Sequence, residues 1–167
     1  MLYFIRHGET DYNKRNQWMG LKDLPLNSTG VKQAEAAATK IARLPVQIIL
    51  TSPLIRARQT ATIIAEHHPH SPPVQVEYWL TERDFGPYEG LRKTEAKRAE
   101  MNASAQVESL ANLAERLGAI KEVEEAYEHL LIVSHSGVYR CLIEAVGFKR
   151  PTGEKSLRNA QFVQLTR

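Results

Sequence analysis

Residues 2–10 read Leu-Tyr-Phe-Ile-Arg-His-Gly-Glu-Thr. Four apolar residues run directly into Arg6, His7 and Gly8, a pattern typical of a buried strand whose end carries polar chemistry. Arg6 and His7 would point to opposite faces of a regular strand, so we expect the strand to end before them and Gly8 to permit the bend. By themselves, Arg6 and His7 indicate only an ordinary strand end at a glycine turn. A functional site would need further polar residues from elsewhere in the chain.

Length and composition predict one globular domain over residues 1–167. The 167 residues are 43% apolar and 25% charged, with no run of about 18 apolar residues that could span a membrane. Met1 leads directly into the first predicted strand, so we expect no signal peptide and a cytoplasmic location. Cys141 is the only cysteine, which excludes an internal disulfide and a cysteine-based zinc site.

The formal net charge of +3 is modest. Four basic residues near the C-terminus could attract an anion, but Glu154 lies among them and a solvated loop is the favoured interpretation; they are Lys149, Arg150, Lys155 and Arg158. No basic face is interleaved with aromatic residues, so nucleic-acid binding is not expected. The sequence does not predict an oligomeric state.

Strands and helices alternate along the chain. After the first strand, residues 11–29 predict a long loop, and Asn27, Ser28 or Thr29 is expected to cap the next helix. Further strands are predicted over 46–50, 74–78, 130–133 and 161–166, and further helices begin at 51–53, 94, 110 and 138. This alternation predicts an α/β fold, a three-layer α/β/α sandwich with a mostly parallel central sheet.

Two of the predicted strands end in histidine motifs. The first ends in Arg6-His7-Gly8 and another in Ser134-His135-Ser136-Gly137. In an open α/β sheet, ligands bind beyond the carboxyl ends of the strands, so both histidines are expected in one crevice.

Arginine and carboxylate partners follow two other strands. Arg56 lies in the first turn of a helix, and with Arg6 it predicts a phosphate clamp, because guanidinium groups match phosphate oxygens. Glu82 follows a further strand and could supply a proton, although Asp84 and Glu9 are alternatives.

The chain resembles the histidine phosphatase superfamily, the phosphoglycerate-mutase-like proteins. The resemblance covers nearly the whole chain and rests on five segments in the family's order: RHGET with Asn13 after it, GLKDLPLNSTG, TSPLIRARQTA, LTERDFGPYEG and VSHSG. It implies a phosphoglycerate-mutase-like fold.

The resemblance also implies roles for individual residues. His7 would be the nucleophile that becomes phosphohistidine, and Glu82 would be the acid for the leaving group and then the base for water. The remaining implied residues would bind the phosphoryl group: Arg6, Gly8, Asn13, Arg56, His135 and Ser136.

The subclass is open at this stage. Mutases of the family carry an insertion between the Glu82 segment and the second histidine segment, and a short stretch here favours water entry and hydrolysis. Gln106-Val107 stands before Glu108-Ser109 where related phosphatases often have glycines, which leaves the substrate undetermined.

We therefore predict a phosphomonoesterase acting on a small phosphorylated metabolite, such as a sugar phosphate, ribazole phosphate or phosphoglycerate, without cofactor or metal. Phosphoglycerate mutase, protein phosphohistidine phosphatase and a catalytically silent phospho-ligand binder are the alternatives. A binder would have no use for Glu82.

Other residues allow a functional and a structural interpretation. The Glu66-His67-His68-Pro69-His70 segment could suggest a metal site, but a polar helix end is the simpler explanation. Trp18, Trp79 and Tyr88 could line the substrate cleft or simply pack.

Overall fold

A five-stranded sheet forms the centre of the fold in this computed structural model, which describes residues 1–151 and 156–167. The strands are β1 (Leu2–Arg6), β2 (Ile48–Thr51), β3 (Val74–Val76), β4 (Leu130–Ser134) and β5 (Phe162–Leu165). Their order is β3-β2-β4-β1-β5, and β5 alone runs antiparallel, against β1. The predicted mostly parallel sheet is confirmed. Glu154 and Lys155, which belong to the basic C-terminal segment, lie outside the described residues.

Seven α-helices are found in the described part of the chain. They are α1 (Asp11–Lys14), α2 (Ser28–Ile41), α3 (Ile55–His67), α4 (Glu95–Ala103), α5 (Leu110–Leu117), α6 (Ile120–Ala126) and α7 (Ser136–Cys141). A π-helical turn, Leu142–Val146, continues α7, and short 3₁₀ turns cover Tyr78–Leu80 and Gly86–Tyr88. Within residues 1–151 and 156–167, no helix has the length and apolarity to cross a membrane.

The helices cover both faces of the sheet, as the α/β/α prediction requires. Because side chains alternate along a strand, Leu2 and Phe4 of β1 pack on one side, in a core shared with α5, α6 and α7. Tyr3 and Ile5 pack on the other side, in a core shared with α2 and α3. All four of these side chains are buried.

The pairing of β1 with β4 brings the two histidine motifs together. Arg6 is in register with Ser134, and the His7 amide donates to the Ser134 carbonyl oxygen at 3.0 Å. The two strands therefore end level, at the carboxyl edge of the parallel sheet, with His7 and His135 following side by side.

Several predicted helix boundaries were wrong. The predicted loop over 11–29 contains the short helix α1, whose first turn is capped by Thr10. The third helix begins at Ile55 rather than at 51–53, because Thr51 is still in β2 and the Asp23 carboxylate accepts the Ile55 amide at 2.6 Å. The predicted long helix from Leu110 is two helices, which separate around Gly118.

One predicted strand boundary was also wrong. Tyr78 was expected in the third strand, which ends at Val76. Tyr78 lies in the following turn and is exposed.

Candidate active site

A cavity of about 310 Å³ opens at the carboxyl edge of the sheet. Five of the predicted site residues line it: Arg6, His7, Asn13, Glu82 and Ser136. Gly8, Arg56 and His135 do not line the cavity, although Arg56 and His135 are fully buried beside residues that do.

His7 follows β1 and is held by its own neighbour. Its Nδ1 lies 2.7 Å from the Gly8 carbonyl oxygen, which can only accept, so Nδ1 carries the hydrogen in this bond. Burial lowers the pKa of His7 well below its usual value, and the positive charges of Arg56 and Arg6 lower it further. The ring is therefore neutral near pH 7, with an unprotonated Nε2.

His135 directly precedes α7 and packs against His7. The two ring centroids are 5.1 Å apart, and Nε2 of His135 lies 2.7 Å from Ser52 Oγ. Its buried Nδ1 has no hydrogen-bond partner among the described residues. Burial and then the positive charge of Arg56 hold the pKa of His135 well below its usual value, so this ring is also neutral.

Arg56 is fixed by the loop that precedes α2. Its Nη1 donates to the Lys22 carbonyl oxygen at 2.7 Å and its Nη2 to the Gly20 carbonyl oxygen at 2.8 Å. Burial lowers the pKa of Arg56 to about 10, and the charges of Glu82 and Asp23 act in the opposite direction. The group stays positively charged at neutral pH, in contact with a loop whose Gly20 lines the cavity.

Arg6 and Arg56 each have one buried guanidinium nitrogen without a hydrogen-bond partner in the described ranges. The Nη1 of Arg6 donates to the Leu157 carbonyl oxygen at 2.8 Å. The Nε atoms of Arg6 and Arg56 are both buried and make no hydrogen bond to any residue in the described ranges. Unpaired buried donors of this kind are costly unless an acceptor binds, and a phosphate oxygen is such an acceptor.

The strand end expected before Arg6 was wrong. The strand continues through Arg6, and the backbone of Gly8 does not adopt a positive φ. A Cβ on Gly8 would instead lie 2.4 Å from the Gly30 carbonyl oxygen of α2. Glycine is therefore required here because the chain that follows β1 approaches α2 closely.

Asn13 belongs to the cap of α1. Its Oδ1 accepts from the Thr10 amide at 3.1 Å and from Asn159 Nδ2 at 3.2 Å. Asn159 also donates to the His7 carbonyl oxygen at 3.0 Å. These bonds fix the orientation of the Asn13 amide, whose Nδ2 keeps its hydrogens for a ligand in the cavity.

The Glu82 carboxylate is held by two backbone amides. Oε1 accepts from the Arg83 amide at 2.9 Å, and Oε2 accepts from the Gly137 amide at 3.2 Å. A Cβ on Gly137 would lie 2.3 Å from Oε1, so the carboxylate needs glycine at this position. The alternative carboxylates, Asp84 and Glu9, do not line the cavity.

Lys93 is a cavity residue that the sequence interpretation missed. It lines the cavity, and burial together with the charge of Arg6 lowers its pKa to about 8. Lys93 lies in a mixed-charge segment after a glycine-rich turn, where its type and spacing give no signal. Backbone pairing with residues 16–18 brings this segment to the site, through the antiparallel bridge between Gln17 and Arg92 and the 2.7 Å bond from the Lys93 amide to the Asn16 carbonyl oxygen.

The three aromatic candidates differ in their contacts. Trp18 lines the cavity, with the Arg98 guanidinium 5.7 Å from its ring centroid. Tyr88 packs edge-on against Trp18 at 6.4 Å and is not part of the wall, and Trp79 donates its Nε1 hydrogen to Glu77.

The histidines after α3 are held by structural contacts. His68 is buried, and its Nε2 lies 3.0 Å from the Leu44 carbonyl oxygen. His67 Nδ1 lies 2.8 Å from the Ile63 carbonyl oxygen. Among the residues that the structure describes, no group of three or more metal-binding side chains is found.

The arrangement can therefore do three things chemically. It offers a neutral imidazole nitrogen, several cationic or N–H donors for phosphate oxygens, and a carboxyl group fixed at the cavity wall.

Comparison with known proteins agrees with a site for phosphate chemistry: a sequence model of the histidine phosphatase superfamily (branch 1) matches residues 2–166. The chain belongs to this superfamily.

Individual relatives divide between phosphatases and mutases. The chain is 36% identical over 163 residues to an uncharacterized phosphatase, PhoE, of Bacillus subtilis, covering 95% of this chain and 81% of the relative. It is 31% identical over 189 aligned residues to a 2,3-bisphosphoglycerate-dependent phosphoglycerate mutase of Arabidopsis thaliana, covering 85% of this chain but 56% of the mutase. The chain thus spans about half the length of the mutase.

A solved structure extends the likeness to the fold. Mycobacterial glucosyl-3-phosphoglycerate phosphatase superposes with a TM-score of 0.83 at 26% identity, over 96% of this chain and 88% of that one. The superfamily resemblance and the phosphoglycerate-mutase-like fold expected from the sequence are confirmed.

Proposed function

We propose that this superfamily member is a phosphomonoesterase that hydrolyses a small phosphorylated metabolite through a phosphohistidine on His7. The observation that carries the proposal is the 2.7 Å bond from His7 Nδ1 to the Gly8 carbonyl oxygen. It places the hydrogen on Nδ1 and leaves the Nε2 lone pair for phosphorus, in a cavity that also contains Arg6 and Glu82. The phosphatase relative that matches 95% of this chain supports the same reaction.

The proposed reaction has two steps. The Nε2 lone pair of His7 attacks phosphorus, the bond from phosphorus to the ester oxygen breaks, and Glu82 gives that oxygen a proton. Water then attacks the phosphohistidine, Glu82 takes a proton from the water, and the phosphorus–nitrogen bond breaks to restore neutral His7. Arg6, Arg56, His135 and Asn13 would stabilise the charge on the transferred group, with the backbone of Gly8 and Ser136 beside them.

Release of phosphate from an aryl phosphate tests this proposal. We expect turnover to persist after dialysis against EDTA, because none of the proposed steps uses a metal ion. Quenching in alkali during turnover should leave labelled phosphate on the protein, since phosphohistidine is stable to base and labile to acid. Activity that EDTA removes, or the absence of a base-stable phosphoprotein, would contradict the proposal.

Glu82→Gln tests the proton donor separately. A good leaving group needs no proton, so the rate with 4-nitrophenyl phosphate should fall far less than the rate with an alkyl phosphate such as glycerol 3-phosphate. Asp84→Asn is the matched control, because Asp84 lies two residues away and outside the cavity. An equal loss of rate with both esters would show that Glu82 is not the proton donor.

The mutases among the relatives make phosphoglycerate mutase the second candidate. It is distinguished by transfer of phosphate between the hydroxyl groups of phosphoglycerate faster than phosphate release. A protein phosphohistidine phosphatase would release phosphate from a phosphohistidine protein and not from metabolites, and a silent binder would release none. The single domain over residues 1–167 and the cytoplasmic location stay predictions.

A further inference from the structure

The carboxylate that the proposed reaction uses as its acid lies in a part of the chain with little regular structure. Glu82 belongs to residues 77–94, a segment of loops and two short 3₁₀ turns between β3 and α4. Its carboxylate is bonded to two backbone amides, so the position of the carboxylate depends on how firmly the segment is held. A group that gives a proton in the reaction must lie within about 0.5 Å of its productive position.

Arg116 holds this segment from the last turn of α5. Its Nη1 donates to the Trp79 carbonyl oxygen at 2.6 Å, and its Nη2 donates to the Glu82 carbonyl oxygen at 3.1 Å. The helix that carries Arg116 is itself fixed, because Leu113 and Leu117 are buried in the core beneath the sheet. The backbone of Glu82 is therefore attached to a rigid element.

Glu108, which precedes α5, completes the attachment. Its carboxylate oxygens accept from Nε and Nη2 of Arg116 at 2.8 and 3.0 Å, as a bidentate ion pair. The same carboxylate accepts the Asp84 amide at 3.2 Å, and the Glu108 carbonyl oxygen accepts from Arg83 Nε at 2.7 Å. The ion pair thus binds the chain both before and after the Glu82 side chain.

The contacts of this pair suit a fixing role and not contact with a ligand. Neither Arg116 nor Glu108 lines the cavity of about 310 Å³, and their side chains are 26% and 16% exposed. Every nitrogen of the Arg116 guanidinium donates within the protein. A planar group that is bonded through all its nitrogens cannot rotate without breaking several of these bonds.

We propose that Arg116, held by Glu108, is a positioning residue for the proton donor Glu82. The pair does not touch the ester. It fixes the backbone of residues 79–84, so that the Glu82 carboxylate meets its two amides at the cavity wall. The inference rests on the proposed function, in which Glu82 gives a proton to the leaving oxygen, and it predicts a loss of turnover where that proton is needed.

Two esters with different leaving groups test the positioning role. In Arg116→Gln, we expect kcat for glycerol 3-phosphate to fall by about tenfold to a hundredfold, the effect of displacing a catalytic group by about 1 Å. The kcat for 4-nitrophenyl phosphate, whose leaving group needs no proton, should fall by about threefold or less. Both rates are measured on one preparation, so their ratio does not depend on the fraction of folded protein.

Arg167→Gln is the matched control for loss of an ion pair. Arg167 pairs with Glu124 at 2.6 Å and lies outside the cavity. Its replacement should leave the ratio of the two rates unchanged. Arg116→Lys keeps the charge beside Glu108 but replaces the planar fork with a compact ammonium group, so it should show the same selective loss at a smaller size.

A double variant separates positioning from a general loss of structure. If Arg116 acts through Glu82, adding Arg116→Gln to Glu82→Gln should lower kcat for glycerol 3-phosphate by only about threefold or less. Equal losses on both esters in Arg116→Gln would overturn the inference. The full loss, repeated in the Glu82→Gln background, would overturn it as well.

Hydrogen exchange separates this inference from the proposed function. In Arg116→Gln, the amides of Arg83 and Asp84 should exchange at least about tenfold faster than in the wild-type protein, while the amides of β4 keep their rates. Unchanged exchange at Arg83 and Asp84 would contradict the inference whatever the turnover. If the wild-type protein released no phosphate, the proposed function would fail, and faster exchange would still support the attachment of Glu82 by Arg116. Selective loss in Glu82→Gln without selective loss in Arg116→Gln would overturn the inference alone.

Discussion

The two histidines at the strand ends differ in which ring nitrogen is engaged. His7 is bonded through Nδ1 to a backbone carbonyl oxygen and lines the cavity. His135 is bonded through Nε2 to Ser52 and does not line it, and its buried Nδ1 has no partner in the described part of the chain. Both rings follow neighbouring strands at the same edge of the sheet. The nitrogen that makes a hydrogen bond is nevertheless Nδ1 in His7 and Nε2 in His135.

This difference predicts unequal roles for two similar residues. The contact of His7 with a carbonyl oxygen permits one tautomer, and that tautomer leaves a lone pair on Nε2. The contact of His135 with a hydroxyl group permits either tautomer, because a hydroxyl both donates and accepts. We therefore predict that His7 is the nucleophile and that His135 donates to the transferred group.

Replacing His7 should have the largest effect. His7→Ala removes the only atom that would form the covalent bond, so we expect kcat/KM for an aryl phosphate to fall by about 10⁴-fold or more. Steady-state phosphate release measures this, with His70→Ala as a control because His70 is exposed and outside the cavity. Loss of less than about tenfold would exclude His7 as the nucleophile.

Replacing His135 should cost less. His135→Gln keeps a polar side chain but removes the imidazole donor, and loss of one positioned donor typically lowers kcat by about 10²- to 10³-fold. Labelled phosphoprotein should still form, only more slowly, which distinguishes this variant from His7→Ala. If His135→Gln abolished the labelled intermediate while His7→Ala kept it, the assignment of the two histidines would be reversed.

The sequence predicted the two strand ends well because local signals and sheet topology agree there. Leu2–Ile5 and Leu130–Val133 are continuous apolar runs, and both are buried central strands in the structure. Parallel pairing then brings the following residues to one edge, whatever the intervening chain does. Glu82 could be placed near this edge for the same reason, since it follows a strand on the same sheet.

Residues that reach the site through loops could not be predicted in this way. Lys93 is brought to the cavity by pairing between two irregular segments, which hydrophobic periodicity does not report. The close contact of Gly8 with Gly30 could not be predicted either, because it depends on how α2 packs beside the residues that follow β1. Tertiary packing decides both, and neither residue type has a local preference that would reveal it.

The comparison of the two rings also predicts a dependence of stability on pH. Folding lowers the pKa of both His7 and His135, so the unfolded chain binds protons that the folded chain does not. Stability should therefore fall as the pH drops below about 6.5, by up to about 1.4 kcal/mol per pH unit for each buried histidine. Urea unfolding at pH 5, 6, 7 and 8 measures the slope.

The variant His135→Gln should have a shallower slope between pH 6 and pH 5 than the wild-type protein. His70→Gln should keep the wild-type slope, because His70 is exposed in the folded chain. Identical slopes in the wild-type protein and His135→Gln would show that His135 is not held neutral by burial.

The smallest effect is expected from Ser52, which contacts His135 and not the cavity. Ser52 Oγ accepts from the Leu54 amide at 3.3 Å, so its own hydrogen can be donated to His135 Nε2 at 2.7 Å. That donation leaves the ring hydrogen on Nδ1, the nitrogen that would face a phosphoryl oxygen.

Ser52→Ala removes this bias, and we expect kcat to fall by about threefold to tenfold, the worth of one neutral hydrogen bond. Ser52→Thr, which keeps the hydroxyl group, should recover most of the loss, whereas a purely steric role would make threonine the worse variant because Ser52 is fully buried. Inhibition by inorganic phosphate should weaken in Ser52→Ala by a similar factor, since under this proposal the donor that Ser52 orients would be directed at the phosphoryl group in both complexes. Unchanged phosphate inhibition would show that the His135 tautomer is set by something other than Ser52.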